Sequence, residues 1–120
     1  MAYHLYPLTA SQRMLQNACE EFGTTQVLTI GVCVSIRMPV DFSLLKACLT
    51  EETERLDCLR VQLTSPDREG GIRQYIVPEH TPDITYRNLK DKTKAEIKDL
   101  MASWSTIGFE KADAPLHRYV

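Results

Sequence analysis

A chain of 120 residues, 43% hydrophobic and 25% charged, is long enough for one domain that buries its own core without disulfides or a structural metal. Its net charge of −2, with 14 basic and 16 acidic residues intermixed, gives neither the basic field that nucleic acid requires nor an acidic tail. No run approaches membrane-spanning length, and the stretch Met1–Pro7 lacks the basic start and long apolar core of a signal peptide. These exclusions leave a soluble cytoplasmic protein with no nucleic-acid and no membrane partner.

In chain order, Tyr3–Tyr6 reads as a short edge strand stopped by Pro7, which has no N–H to donate. Thr9 and Gln12 then form T-x-x-Q, a capping box that opens a helix with Met14, Leu15, Ala18, Cys19 and Phe22 on one face; Gly23 supplies the left-handed turn that ends it. From Thr25 to Met38 the even positions Leu28, Ile30, Val32, Val34, Ile36 and Met38 are all apolar, and Thr29, Gly31, Cys33 and Ser35 between them are small. That strict alternation predicts a central strand, ended by Pro39.

Asp41 is placed to cap a second helix, with Val40 and Leu45 at the positions of a hydrophobic staple. Leu45, Cys48, Leu49 and Leu56 predict its buried stripe, and Lys46, Glu51, Glu54 and Arg55 fall mainly on other faces. At Cys58 the period changes to two, so Cys58–Thr64 reads as a strand. The turn formers of Ser65–Gly71 then predict a mobile hairpin tip, with Ile72–Val77 as the returning strand. Pro78 and Pro82 bracket a connector, and Ile84–Tyr86 is one more short strand. Thr93 and Glu96 make a second capping box for a helix with Ile97, Leu100, Met101 and Trp104 on one stripe, stopping near Gly108.

This order predicts an α+β fold, with helices packed on a mixed, mostly antiparallel sheet. Arg118-Tyr119-Val120 reads as the start of a further strand, so residues 1–120 are expected to be a single partial domain rather than a complete one.

Few residues carry chemistry on their own. Cys19, Cys33, Cys48 and Cys58 are separated by 14, 15 and 10 positions, which fits no metal or redox motif; they read as small buried hydrophobes in a reducing compartment. His4, His80 and His117 are far apart in sequence without ligand spacing, so no metal site is expected. His117 is the most tempting general base, though without an identified partner. No nucleophile elbow, P-loop or dinucleotide fingerprint is present. Gly70-Gly71 is explained by tight turning, and Glu51, Glu52 and Glu54 by a solvated helix face. Arg55 sits favourably at a helix C-terminus. Arg60, embedded in an apolar strand, needs a partner: Asp57, Glu54, or a group outside the chain.

Four segments, in order, resemble the N-terminal part of the condensation domains of nonribosomal peptide synthetases, in the chloramphenicol-acetyltransferase-like acyltransferase superfamily. Pro7-Leu8-Thr9-Ala10-Ser11-Gln12 is similar to the family's P-L-T-x-x-Q opening. Asp41–Leu63 is similar, without a gap, to its helix and R-H-E-x-L-R-T-x-F signature, with Arg55, Asp57, Leu59 and Arg60 on matching positions. Gln74 before Ile76-Val77-Pro78 suits its hairpin strand, and Phe109-Glu110 with Pro115-Leu116-His117-Arg118 resembles its F-D-x-x-x-x-P-L-x-R segment.

Leu56, Val61 and Leu63 depart from the signature's histidine, threonine and phenylalanine, which favours a divergent relative. The family's H-H-x-x-x-D-G motif does not occur among the 120 residues.

The resemblance implies an N-terminal lobe whose parent transfers an acyl group from a phosphopantetheine or coenzyme A thioester to an amine or hydroxyl. It assigns no catalytic residue to this chain and implies no turnover by it alone. It casts Arg55 and Arg60 as supports of the histidine motif, through its aspartate. The partners implied are the remaining lobe of the parent and an acyl carrier protein. A non-catalytic interaction module using the same half-fold, by carrier-protein docking or self-association, is the reading of a different class, and an unrelated small α+β domain is the third.

Overall fold

The computed structural model describes residues 2–120, apart from the side chain of Val27. The chain runs β1 (Tyr6–Pro7), α1 (Ala10–Phe22), a 3-10 turn (Gln26–Leu28), α2 (Phe42–Arg55), a second 3-10 turn (Asp57–Leu59), β2 (Val61–Leu63), β3 (Arg73–Ile76) and α3 (Lys94–Ser105). The class is α+β. Among the described residues an antiparallel sheet has the order β1-β3-β2, and an isolated parallel bridge joins Ile84 to Tyr119.

Helix starts follow the side-chain chemistry closely. Thr9 Oγ1 accepts from Gln12 N–H (3.2 Å), and Gln12 Oε1 accepts from Thr9 N–H (2.8 Å). Thr93 and Glu96 repeat this reciprocal box at α3. Asp41 Oδ1 takes the Ser43 and Leu44 N–H groups at 2.8 and 3.1 Å. Each cap satisfies amide groups that have no partner inside the helix. Gly23, at φ 70°, closes α1 in the left-handed region that glycine adopts without a Cβ penalty. α3 ends at Ser105, three residues before Gly108.

The hairpin pairs Val61 with Ile76, Gln62 with Tyr75 and Leu63 with Gln74. Its tip is tied rather than loose: Asp67 Oδ1 accepts from Glu69 and Gly71 N–H at 2.9 and 2.7 Å, and Gly70 takes φ 79°. The strand expected from Cys58 begins only at Val61, because Asp57–Leu59 forms a 3-10 turn as the chain leaves α2. The first strand is displaced likewise: it is Tyr6–Pro7, with Pro7 opposite Arg73. Proline fits there because β1 lies at the sheet edge, where a missing donor costs no ladder bond. Ile84–Tyr86 contributes only its bridge to Tyr119.

The largest correction concerns Thr25–Met38. No strand forms there; Gln26–Leu28 is a 3-10 turn, and residues 29–40 carry neither helix nor strand. Ile30, Val32 and Val34 are 88, 84 and 77% exposed. Alternation specifies which side chains share a face, but a strand also needs a neighbour to take its N–H and C=O groups. Among the described residues none does so for positions 30 to 40.

The α2 stripe is rotated from the expected one. Thr53 is fully buried, with Phe42, Leu45 and Leu49 partly buried on the same side, whereas Cys48 and Leu56 are exposed. Thr53 tolerates burial because its hydroxyl donates back to Leu49 C=O at 2.8 Å. The cysteines are corrected too: Cys19 is buried, but Cys33, Cys48 and Cys58 are exposed.

Among the described residues the buried hydrophobic set is Leu8, Cys19 and Tyr75. The accessible surface is 9405 Å² for 13.7 kDa, whereas a compact monomer of that mass exposes about 6,600 Å². The radius of gyration, 16.8 Å, likewise exceeds the roughly 14 Å of a compact 120-residue domain. The helices are well started but cover little, and much of the apolar surface that the pattern marks as core faces outward.

Candidate functional site

The polar contacts converge on β3. Gln74, opposite both Tyr6 and Leu63 in the sheet, exchanges side-chain amide hydrogen bonds with Gln12, Nε2 to Oε1 in each direction, at 2.8 and 3.1 Å. It also donates to Pro7 C=O at 3.0 Å. Gln12 thereby caps α1 and clamps it to the sheet. Tyr75, on the other face of β3, stacks on Tyr3 with ring centroids 4.7 Å apart. Its hydroxyl lies 2.8 Å from Asp113 Oδ1 and 3.0 Å from Gln62 Oε1. Burial, followed by the Asp113 carboxylate, pushes the Tyr75 hydroxyl up to about 12. Asp113, at φ 52°, also donates its N–H to Leu63 C=O at 2.7 Å and so pins the C-terminal segment to the hairpin.

Arg60 lies where the hairpin meets its connector. Its side chain is only 11% exposed and pairs with Asp57 through Nη2; Nη1 donates to the carbonyls of Val77 (2.6 Å) and Pro78 (3.1 Å). Asp57 is thus the acid Arg60 meets within the chain. The Arg60 Nε is buried without a partner among the described residues. Arg55 is 71% exposed and bridges to Glu52 at 3.2 Å, a surface pair of the kind worth about 0–1 kcal/mol. The two arginines therefore differ in freedom: Arg60 is committed inside, and Arg55 stands in solvent.

An apolar groove of about 450 Å³ opens between α1, the first 3-10 turn, β2 and the C-terminal segment, lined by Leu15, Cys19, Leu28, Leu63, Phe109 and His117 among others. Thr25 in its wall is joined to Phe109, its hydroxyl donating to Phe109 C=O (2.7 Å) and accepting from Phe109 N–H (2.8 Å). Arg118 holds the same segment against α3 by donating to the carbonyls of Trp104, Ile107 and Gly108, and its guanidinium stands 4.5 Å from the Phe109 ring centroid.

The structure brings together two histidines that the sequence keeps apart. The His80 and His117 rings meet edge to face at 5.7 Å, and the Tyr119 ring stands 5.6 Å from His117, also edge to face. Both Nε2 atoms are buried without partners among the described residues. Burial, reinforced by His80, holds His117 below the ordinary imidazole range, so it is neutral at pH 7. His4 instead packs near Tyr6. No local motif announces the His80–His117 pair, because it depends on how the connector returns to the C-terminal segment.

Among the described residues, no three His, Cys, Asp or Glu side chains converge as a metal cluster, and no helix is long and apolar enough to cross a membrane. Comparison with family models, curated proteins and solved structures finds no match for the chain.

Proposed function

We propose that the chain is the N-terminal lobe of a divergent condensation-like acyltransferase, inactive by itself. The parent would transfer an acyl group from a carrier-protein or coenzyme A thioester to an amine or hydroxyl. The observation that carries this reading is contact among the four resembling segments. Gln12 of the opening motif pairs with Gln74 of the hairpin motif; Arg60 of the arginine signature holds Val77 and Pro78; and Leu63, which ends that signature, accepts from the N–H of Asp113 within the last segment. Gln12, Gln74 and Arg60, which carry the resemblance, thus supply the side-chain contacts that join the first three segments.

In this proposal the groove beside His117 is completed by the remaining lobe. Arg60 fixes the hairpin base, while its unpartnered Nε and the exposed Arg55 are the groups left to support an incoming histidine motif. That motif would position or deprotonate the nucleophile. Reading the encoding gene beyond the Val120 codon tests the proposal: an H-H-x-x-x-D-G motif is expected within the next few tens of codons. An open reading frame that continues without it, or that stops first, overturns the proposal.

A further inference from the structure

The segment from Leu28 to Met38 is the least satisfied part of the molecule. Leu28, Ile30, Val32, Val34, Ile36 and Met38 are all exposed, between 37 and 88%, and positions 30 to 40 make no backbone hydrogen bond among the described residues. Leu28 and Ile30 border the apolar groove, so the even-numbered face continues the groove's surface. The odd side approaches the body at Gly31, where an added Cβ would stand 3.3 Å from Ser105 Cβ.

We propose that this segment is a pairing strand that joins the same segment of a second copy of the chain, antiparallel and centred on Cys33. The inference is independent of the acyltransferase reading. Antiparallel pairing about Cys33 sets Leu28 opposite Met38, Ile30 opposite Ile36 and Val32 opposite Val34, all on one face. On the other face Gly31 meets Ser35 and Thr29 meets Arg37, so no like charges oppose. Pro39 and the 3-10 turn favour this register: about Cys33 the ladder runs from Thr29 to Arg37, with Leu28 and Met38 flanking it, whereas centring on Val34 sets Pro39, which has no N–H, opposite Thr29, and centring on Val32 leaves only Thr29 to Ser35 outside the turn.

The chain exposes about 2,800 Å² more than a compact monomer of its mass, an excess of which these six exposed side chains are part, and a standard interface takes about 800 Å² from each partner.

Paired residues in an antiparallel ladder have Cα atoms about 4.5–5.5 Å apart, within the roughly 4.4–6.8 Å that a disulfide spans. Cys33 therefore reports the register. The full chain carrying Cys48→Ser and Cys58→Ser is treated with oxidised glutathione. Two Cys33 thiols become one disulfide as their two electrons and two protons reduce the oxidant to two glutathione molecules.

The expected result is a dimer, or an even multiple of it, by sedimentation equilibrium, cross-linked through Cys33 at least about tenfold faster when folded than in urea. Val34→Lys, in the same background, should weaken association at least about tenfold with the far-ultraviolet circular dichroism unchanged. A folded monomer at high micromolar concentration overturns the proposal and leaves the segment to a polypeptide of other sequence. Cross-linking no faster than in urea, or association untouched by Val34→Lys, overturns it as well.

Discussion

Two extended regions with similar apolar content have opposite fates in this molecule. The hairpin at Val61–Ile76 is short, yet every step of it is anchored, by a tied turn at Asp67, by Gln74 to Gln12 and by Tyr75 to Asp113. The segment from Ile30 to Met38 is longer and more regular in pattern, yet it stands in solvent. Periodicity decides which face a strand would bury, whereas a ladder exists only where a second backbone is within reach. The hairpin carries its partner a few residues away; the segment does not.

Removing the anchor of the first region should have the largest effect. Tyr75 is 5% exposed and carries both the Tyr3 stack and the link to Asp113. Tyr75→Ala should cost about 3–5 kcal/mol by urea unfolding, the range for truncating a buried aromatic. On a chain with this little core, that brings it to the edge of unfolding. A loss below about 1 kcal/mol would show that β3 is not the centre of stability.

A smaller break lies at the junction of the two regions. Gly108 comes so close to Thr25 that an added Cβ would stand 2.5 Å from Thr25 Oγ1 and 3.3 Å from Gln26 N. Gly108→Ala forces one of them aside and should cost about 1–3 kcal/mol, as overpacking does. The amide of Phe109 would lose protection from hydrogen exchange as its bond to Thr25 opens. Unchanged exchange at Phe109 would mean the contact relaxes without consequence.

The third effect is carried by pH, with opposite signs at two residues. Tyr75 is held protonated, so its contribution is complete below the ordinary tyrosine value of 10.0 and is lost as pH rises through about 12. The stability profiles of the wild type and Tyr75→Phe should converge over that window; parallel profiles would refute the assignment. His117 is held neutral, so its contribution is complete above 6.5 and is lost as pH falls through its lowered value. His80→Gln should move the His117 midpoint upward in an NMR titration by removing one repelling charge, and an unmoved midpoint would discard that coupling.

What was legible in the sequence was whatever a few neighbouring residues decide. Both capping boxes, the Asp41 cap, the Gly23 stop and the hairpin arise from side chains that meet their own local backbone. What was not legible depended on distant encounters. Cys48 and Leu56 were expected inside because the spacing fits a stripe, yet α2 turns Thr53 inward instead, since its hydroxyl can be satisfied by Leu49 C=O. The His80–His117 contact and the Thr25 bridge to Phe109 have no local signature, because each joins segments whose approach is set by the whole chain. For the site, Arg60 is legible as a charge needing a partner, with Asp57 near enough in sequence to serve; the carbonyls of Val77 and Pro78 have no such signature.

The smallest effect is the one that separates the two regions most cleanly. Val32 is 84% exposed, so in an isolated chain Val32→Ser removes no packing and should shift stability by no more than about 0.5 kcal/mol, the usual range for surface positions. If the segment pairs between copies, the same substitution acts through mass action, because association stabilises the folded chain more as concentration rises. Urea unfolding of the wild type should then depend on chain concentration, and the gap to Val32→Ser should open from near zero at high dilution to a clear difference when concentrated. Tyr75→Ala should show a similar loss at every concentration, because its contacts lie within one chain. If the Val32→Ser gap also stays constant, the segment contributes within the chain or not at all, and the contrast between an anchored hairpin and a strand awaiting its neighbour fails.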